Sequence, residues 1–338
     1  MTIEIGVATL TDRQAVPAPD RMRQIVELGV QAEEVGLDVF GVGEHHTADF
    51  LVSSPAPVLA AVAARTSAIR LTSSVTVLSV HDPVRVFQDF ATVDLISGGR
   101  AEITVGRSAY PEPFALFGVD LREYDAVFAE KLGLLLRLRD EPVLSWRGDH
   151  RPALHDAEVV PRGVQPALPV WIGAGGSPSS VVRAGELGLP LIIGYLGGTV
   201  ERLAGLVRLY RETARRAGQR PVVGVAAHYF GAATPEEAAA TYPQYHDFLR
   251  PKRPGGGGFV VSRAEFDAGV LPGRPLMIGT AEHVTQKLIH LHQATGYDRV
   301  QLLADWGGLP PSLVEASVHR LGTEIAPAVR AGTVVPRD

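Results

Sequence analysis

The stretch Asp38-Val39-Phe40-Gly41-Val42-Gly43-Glu44-His45-His46 joins a short apolar run to an acid and two imidazoles. The apolar part has no helical period, and such a run is typical of a parallel strand that is covered on both faces. In parallel α/β folds the loops that leave the C-terminal strand ends build the ligand site. The stretch therefore predicts a buried strand followed by a chemically active loop.

Apolar strands and amphipathic helices alternate outward from this stretch along the chain. The predicted strands cover residues 3–9, 38–43, 69–78, 100–106, 169–173, 189–195, 222–230 and 299–303. The predicted helices cover residues 20–36, 55–66, 83–96, 124–138, 179–187, 200–217, 236–249, 281–294 and 312–329. Eight strands that are each followed by a helix favour a closed (β/α)8 TIM barrel over a six-stranded open sheet.

Two segments interrupt the alternation. Residues 142–161 contain a turn-rich stretch between two short β-like runs, which predicts an inserted hairpin. Residues 250–276 follow the seventh predicted strand and carry four consecutive glycines, so regular structure is not expected throughout. We expect one barrel domain over residues 1–338, with both insertions in loops.

The composition narrows the classes of function. Of 338 residues, 46% are hydrophobic and 20% are charged, which is typical of a globular protein and excludes disorder of the whole chain. A net charge of -5 without a basic stripe argues against nucleic acid or an anionic membrane as a partner. Cysteine is absent, which excludes disulfides, thiolate metal sites and a thiol nucleophile. With no signal-peptide pattern and no membrane-length apolar run, we expect a cytoplasmic protein.

The turn Gly175-Gly176-Ser177-Pro178-Ser179-Ser180 leads directly from the fifth predicted strand into a helix. Backbone N–H groups, a helix N-terminus and several hydroxyls then face one point, which predicts an anion site, most commonly for phosphate. Arg107 leaves the preceding strand at the same end and could grip a phosphate with two parallel hydrogen bonds. The alternative is an ordinary glycine turn with a serine N-cap and a surface arginine.

The pair His45-His46 beside Glu44 suggests either a metal site or proton transfer. Neighbouring residues on an extended chain point to opposite faces, and the His-x-His spacing of many metal sites is missing, so metal ligation is the weaker interpretation. An unperturbed imidazole titrates near ~6.5, so either ring could transfer a proton or hydrogen-bond a ligand at neutral pH. For one of the two, a histidine satisfied in the core remains the alternative.

Two further strand positions are candidates. Ser73-Ser74 interrupts an apolar strand with small residues that would let a flat ring approach the backbone, although this feature alone favours two hydroxyls bonded to the sheet. His228 lies near the end of the seventh predicted strand, where a core histidine is the ordinary interpretation.

Taken together, these motifs resemble the bacterial luciferase-like flavin monooxygenase family over nearly the whole chain, in its broad oxidoreductase branch rather than among light-emitting luciferases. The motifs that carry the resemblance are residues 43–46, 71–78, 81–85, 96–100, 105–107, 116–118, 171–173 and 188–190. The resemblance implies a (β/α)8 barrel with a mobile lid after the seventh strand, here residues 250–276. Many relatives have glycine where this chain has Ser108, which puts a shared substrate in doubt.

The resemblance also implies roles for individual residues. His45 matches an active-site histidine that assists proton transfer beside the flavin, with Glu44 and His46 expected as its hydrogen-bonding support. Ser73-Ser74 matches a position where relatives hold a non-prolyl cis peptide against the flavin ring. His228 aligns loosely with a substrate-side histidine, and we group it with His45 as catalytic. The residues expected to contact the cofactor are Glu44, Ser73, Ser74, Arg107, Gly176, Ser177, Ser180, Gly194 and Tyr195.

We therefore expect an FMN-dependent oxidoreductase, specifically a monooxygenase that uses reduced FMN and O2 on a small organic substrate. By resemblance the reduced flavin could come from a separate NAD(P)H:flavin reductase, and the protein would form a homodimer. Deazaflavin-dependent hydride transfer on the same fold and a non-catalytic flavin-binding protein are the alternatives. A metal-dependent hydrolase with a barrel fold is a more distant alternative, and no residue is assigned as a metal ligand.

Overall fold

The computed structural model describes residues 2–12, 16–108, 110–251 and 258–333. Its strands are short and mostly buried, as the apolar runs of the sequence predict. They are β1 Glu4–Thr9, β2 Val39–Val42, β3 Arg70–Ser73, β4 Thr76–Val77, β5 Ala101–Gly106, β6 Val143–Trp146, β7 Leu154–Glu158, β8 Val170–Ala174, β9 Leu191–Gly194, β10 Val223–Ala232, β11 Met277–Thr280 and β12 Arg299–Asp305.

The parallel strands close into a barrel. Each strand pairs with its neighbours in the order β1, β2, β3 with β4, β5, β8, β9, β10 and β12, and β12 pairs back with β1. At the closure, Glu4 of β1 lies opposite Arg299 of β12. If β3 and β4 are counted as one interrupted strand, the barrel has eight, so the predicted TIM barrel is confirmed.

Helices surround the barrel and cover the outer faces of its strands. They are α1 Ala18–Glu34, α2 Pro55–Ala63, α3 Pro83–Ser97, α4 Glu112–Leu116, α5 Tyr124–Asp140, α6 Pro178–Glu186, α7 Val200–Arg216, α8 Pro235–Ala240, α9 Tyr242–Leu249, α10 Arg263–Val270, α11 Ala281–Thr295, α12 Pro311–Arg320 and α13 Ala326–Gly332. Proline opens α2, α3 and α6, where its fixed φ suits the first helical turn and its missing N–H is not needed. Within the described ranges, no helix combines the length and apolarity needed to cross a membrane.

A buried ion cluster fills the N-terminal end of the barrel. Arg299 donates to both carboxylate oxygens of Glu102, at 2.6 and 3.1 Å, and through Nε to Glu4 at 2.7 Å. The guanidinium carbon of Arg299 lies 4.2 Å from the ring centroid of Trp171. These contacts join β1, β5, β8 and β12 at the N-terminal ends of the strands. We call the opposite end, where the loops leave the C-terminal strand ends, the mouth of the barrel.

Three predicted elements are divided in the structure, one of them the helix predicted over residues 312–329, in which a π-helical turn, Leu321–Ile325, separates α12 from α13. The strand predicted over residues 69–78 is broken into β3 and β4 by a cis peptide bond between Ser74 and Val75. The helix predicted over residues 236–249 is two helices, α8 and α9, because Pro243 in the first turn of α9 cannot donate the hydrogen bond that would continue α8. The hairpin predicted over residues 142–161 is confirmed, with β6 and β7 pairing antiparallel.

The segment predicted as irregular, residues 250–276, is more ordered than the sequence suggested. It contains α10, which begins with a capping box between Ser262 and Glu265. The Lys287 ammonium donates to the carbonyls of Val270 and Leu271 at the other end of α10, at 2.6 and 2.9 Å. Residues 252–257 of the expected lid lie outside the described residues. Directly after the segment, the short strand β11 pairs with the end of β10, and this strand is absent from the predicted elements.

Candidate active site

The C-terminal strand ends gather the predicted site residues at one mouth of the barrel. Glu44 and His45 follow β2, Arg107 follows β5, and Gly176 and Ser177 follow β8. Parallel strands that close into a barrel place all these loops on the same rim, which is where TIM-barrel enzymes carry their chemistry.

Arg107 and Ser180 are in direct contact, as the phosphate interpretation requires. Arg107 Nη2 donates to Ser180 Oγ at 2.8 Å, and its other terminal nitrogen pairs with Asp125. The guanidinium carbon lies 4.8 Å from the ring centroid of Tyr124, which supports the side chain from α5. The arginine is therefore held at the first turn of α6 with its charge shared between a hydroxyl and an acid.

The backbone before α6 is shaped for an anion. Gly176 has φ of 99°, a conformation that glycine adopts without strain, and the nearest atom to a Cβ added there is 3.9 Å away. Ser177 is the N-cap residue of α6, yet its hydroxyl pairs with Ser179 Oγ at 2.7 Å instead of capping the helix. The first N–H groups of α6 therefore remain available beside Arg107, where the helix dipole also favours negative charge.

His45 faces an aromatic wall. Its ring stacks on Phe50 with 3.8 Å between centroids and 12° between planes, and Tyr110 meets it edge-on at 5.8 Å. His45 Nδ1 is buried and has no hydrogen-bond partner among the described residues. Burial lowers the pKa of His45 to about 4, against the opposing effect of the Glu44 charge. At neutral pH the ring is therefore a neutral imidazole with one open acceptor or donor position.

Glu44 and His46 point to the other side, into a cluster with a third residue. Glu44 Oε1 lies 2.8 Å from His46 Nε2 and 2.7 Å from His81 Nε2, while Oε2 accepts from the Val77 N–H at 3.2 Å. Burial alone would raise the pKa of Glu44, but the hydrogen bonds from both histidines outweigh it and the pKa is lowered. We name Glu44, His46 and His81 the Glu44 cluster.

The Glu44 cluster corrects the expected support of His45. The hydrogen bonds of the Glu44 carboxylate go to His46, His81 and Val77, so its effect on His45 is electrostatic. The reason is the alternation of side chains along an extended segment, which sends residues 44 and 46 away from residue 45. His81 is not among the predicted site residues, because it lies 37 residues from Glu44 and no local pattern joins the two.

Ser73 belongs to the wall of the sheet. Its hydroxyl donates to the Thr104 carbonyl at 3.0 Å and accepts from the Thr104 N–H at 3.1 Å, so the simpler alternative of a hydroxyl bonded to the sheet describes it. The cis peptide joins Ser74 to Val75, one bond later than expected. Val75 packs against Gly106 and Gly173. A Cβ added to either glycine would lie only 2.6 or 2.7 Å from a Val75 methyl, so both positions need glycine to make room for this side chain.

His228 and Tyr195 are both buried and hydrogen-bonded within the protein. His228 Nδ1 lies 2.9 Å from the Tyr245 hydroxyl, and burial lowers the pKa of His228 to about 4. Tyr195 donates its hydroxyl to the Gly273 carbonyl at 2.7 Å, and burial raises its pKa. Gly194 precedes Tyr195, and a Cβ added to this glycine would lie 3.5 Å from the Leu196 side chain, which is an ordinary van der Waals contact. The Tyr195 hydroxyl is thus engaged by the segment after α10 rather than open to a ligand.

The residues at the mouth fit a planar, phosphate-bearing cofactor. The α6 N-terminus with Arg107 suits the phosphate. Two buried polar atoms lack a partner among the described residues, His45 Nδ1 on the loop after β2 and Thr76 Oγ1 in β4, beside the end of β5. A cleft of about 460 Å³ between α1 and α12 is lined by helix side chains that include Arg23, and it contains none of these groups.

Comparison with known proteins places these features in a family. The model of the family described as luciferase-like monooxygenase matches residues 3–299. The monooxygenase RslO1 from Streptomyces bottropensis has a TM-score of 0.85 at 21% identity, covering 96% of this chain and 99% of that one. The oxygenating constituent of 3,6-diketocamphane monooxygenase from Pseudomonas putida, solved with FMN, has a TM-score of 0.78 at 21% identity, covering 97% and 99%.

A third relative is named for a different coenzyme. The F420-dependent glucose-6-phosphate dehydrogenase of Amycolatopsis mediterranei (strain U-32) is 34% identical over 174 residues, which is 49% of this chain and 51% of the relative. The chain spans about half the length of the curated relatives it matches. At 21% identity, the likeness to the two solved structures shows a common fold.

Proposed function

The chain belongs to the luciferase-like monooxygenase family, and on that premise we propose that it is an oxidoreductase that uses reduced FMN and O2 to oxygenate a small organic substrate. The observation that carries the proposal is the contact between Arg107 and Ser180 at the open N-terminus of α6, on the same rim as His45. Reduced FMN, when bound, supplies the electrons that activate O2.

The phosphate of FMN would be held by Arg107, Ser180 and the backbone of Gly176 and Ser177. Arg107 is already oriented by Ser180 and by the Tyr124 ring, so little side-chain entropy remains to be lost on binding. Phosphate would replace Asp125 as the anion beside the guanidinium, and an Arg–phosphate contact can use two parallel hydrogen bonds.

His45 would handle the proton at the reacting centre. Burial lowers its pKa to about 4, so the imidazole is neutral at pH 7. The Nδ1 atom has no partner among the described residues, which leaves it as the position that can accept or hold a proton. Phe50 covers one face of the ring and Tyr110 its edge, and these rings exclude water from that side.

The same aromatic wall supports an organic substrate with apolar character. Phe50 and Tyr110 approach each other edge-on at 6.0 Å beside His45. Aromatic walls with few polar groups are typical of pockets for small apolar molecules.

Deazaflavin-dependent hydride transfer is the second candidate. It is favoured by the similarity to a relative named as an F420-dependent dehydrogenase. The turn over residues 175–180 would suit either coenzyme, because FMN and F420 each carry a phosphate group beside a flavin-like ring.

Binding of the two coenzymes tests the proposal directly. Reduced FMN and reduced F420 are titrated anaerobically into the purified protein, and O2 is then mixed with each complex while the flavin absorbance is followed. We expect tighter binding of reduced FMN, and an O2-dependent absorbance transient that depends on the protein. Preferred binding of F420 without reaction with O2 would favour the second candidate.

Arg107→Ala and Arg216→Ala form a matched pair of variants. Arg216 lies at the last turn of α7 and is 82% exposed, so its loss removes the same charge without touching the mouth. A hydrogen bond to a charged group contributes about 1.5–3 kcal/mol, so Arg107→Ala should weaken FMN binding roughly 10- to 100-fold. Equal affinities of the two variants would refute the assignment of the phosphate site.

A further inference from the structure

The Glu44 cluster brings together three side chains of types that commonly bind metal ions. The proposed reaction assigns no metal to them. One ligand atom each from Glu44, His46 and His81 lies within 4.8 Å of the others. We propose that these three residues bind a divalent transition-metal ion of the zinc class. The ion would join the loop after β2 to the loop after β4.

The ligand atoms already converge on one point. Both imidazole Nε2 atoms approach Glu44 Oε1, at 2.8 and 2.7 Å. Zinc binds histidine nitrogen and carboxylate oxygen at about 2.0–2.2 Å, so tetrahedral ligands stand about 3.3 Å apart. Each nitrogen therefore has to move away from the oxygen by about half an ångström, and ligand atoms that now lie up to 4.8 Å apart have to come to about 3.3 Å.

The surroundings hold the three side chains in place. The second carboxylate oxygen of Glu44 accepts from the Val77 N–H at 3.2 Å, which fixes the orientation of the carboxylate. Phe117 packs against both imidazoles, edge-on to His46 at 5.0 Å and tilted to His81 at 5.7 Å. Ligands supported in this way lose little freedom when an ion binds.

The donor set selects the kind of ion. Two imidazoles and one carboxylate suit zinc and its neighbours among the transition metals rather than calcium or magnesium, which prefer oxygen ligands. Two neutral imidazoles and one carboxylate leave a divalent ion with a net charge of +1. In the metal-bound form each imidazole would carry its proton on Nδ1, so that Nε2 can donate its lone pair to the metal.

An ion could reach the site from the His81 side. The His81 side chain is 27% exposed, whereas the side chains of Glu44 and His46 are 1% and 4% exposed. Three protein ligands would leave a fourth position for water on the exposed side. The competing explanation is a cluster held by hydrogen bonds alone, with no affinity for an ion.

Zinc binding to flavin-free protein separates these explanations. The protein, without a histidine tag, is stripped with a chelator, and Zn²⁺ alone is titrated in competition with a chromophoric chelator. We expect one Zn²⁺ per chain. His81→Ala removes a partly exposed ligand and should weaken binding by at least ~100-fold, more than the 10- to 100-fold typical of losing an outer-shell partner. His155→Ala, an exposed histidine on β7, should leave the affinity unchanged.

A second variant and a spectrum guard against misfolding. Glu44→Gln keeps the size of the side chain and a hydrogen-bond acceptor but removes the carboxylate, so it should also weaken Zn²⁺ binding. Co²⁺ in the wild-type protein should give intense visible bands of four-coordinate cobalt, which Zn²⁺ displaces. The proposal is overturned if the wild-type protein binds no Zn²⁺ at ~1 mM, or if His81→Ala and His155→Ala bind it equally. Because flavin is absent throughout, these results are independent of the proposed reaction.

Discussion

Replacing Arg299 with alanine should destabilise the protein far more than replacing an exposed arginine. The side chains of Arg299 and Glu102 are each only 4% exposed, and two hydrogen bonds of 2.6 and 3.1 Å join them. Without Arg299, the partner left to the Glu102 carboxylate in the described part of the chain is Arg70, at 3.2 Å, whose side chain is 41% exposed. The Glu102 charge would then be buried with partial compensation.

The size of the effect follows from that buried charge. Removing one partner of a buried ion pair costs about 3–5 kcal/mol, because the other charge loses its compensation without regaining water. Arg70 compensates part of the Glu102 charge, which places the expected loss near the lower end, about 3 kcal/mol. An exposed pair such as Arg216 with Glu212 contributes less than about 1 kcal/mol.

Urea unfolding followed by far-ultraviolet circular dichroism measures both effects. Arg299→Ala should lower the free energy of unfolding by about 3 kcal/mol, and Arg216→Ala by less than about 1 kcal/mol. The double variant Arg299→Ala/Glu102→Gln should recover part of the loss, because it removes the uncompensated charge. The reasoning fails if Arg299→Ala lies within about 1 kcal/mol of wild type, or if the double variant is no more stable than Arg299→Ala.

Three further predictions concern pH, the phosphate site and α10. Burial lowers the pKa of His228 to about 4, below the unfolded value of about 6.5, so the unfolded state binds more protons between these values. The contribution of His228 to stability should therefore be flat above pH 6.5 and fall towards pH 4 by up to about 3 kcal/mol. The pKa of His45 is also lowered to about 4 and adds a dependence of the same sign, so His228→Asn should reduce the loss of stability at low pH in urea titrations, and an unchanged pH dependence would contradict the assignment. The Asp125 carboxylate is 58% exposed and forms an ion pair with Arg107, so it competes with a phosphate for the guanidinium. Asp125→Ala should therefore tighten FMN binding roughly 2- to 5-fold in a fluorescence titration. Weaker binding would contradict the phosphate assignment. Lys287→Met should speed amide hydrogen exchange in α10 without changing exchange in β1, and unchanged exchange in α10 would show that the Lys287 contacts do not stabilise it.

The barrel could be predicted from sequence because its determinants are local. Each strand is a short apolar run and each following helix carries its own apolar face, so the alternation survives errors at the ends of elements. The break in the strand predicted over residues 69–78 is different. Val75, which lies in the break, packs beside Gly106 and Gly173, and these glycines come from two other strands of the barrel. The short strand β11 also depends on a distant partner, since it pairs only with the end of β10 among the described strands.

The meeting of Arg107 and Ser180 was predictable for a related reason. Arg107 and Ser180 lie 73 residues apart in the sequence. Arg107 directly follows β5, and Ser180 lies in the first turn of the helix after β8, and the sequence predicts both of these strands. Once the strands are known to be parallel neighbours, β5 beside β8, the two residues must meet at the same rim. Asp125 and Tyr124 were missed, because they reach Arg107 from a helix whose sequence shows only an amphipathic pattern.

The loop after β2 shows how one strand end can serve two chemical environments. The side chain of His45 faces Phe50 and Tyr110, while those of Glu44 and His46 face His81. This division follows from the alternation of side chains along an extended segment, which the sequence already contains. The alternation does not reveal which side chains from other segments lie on each side, namely Phe50 and Tyr110 beside His45 and His81 beside Glu44. The alternation argued against a metal held by two adjacent histidines, but the same alternation leaves Glu44 and His46 on one side, where a ligand from a neighbouring loop can complete a site.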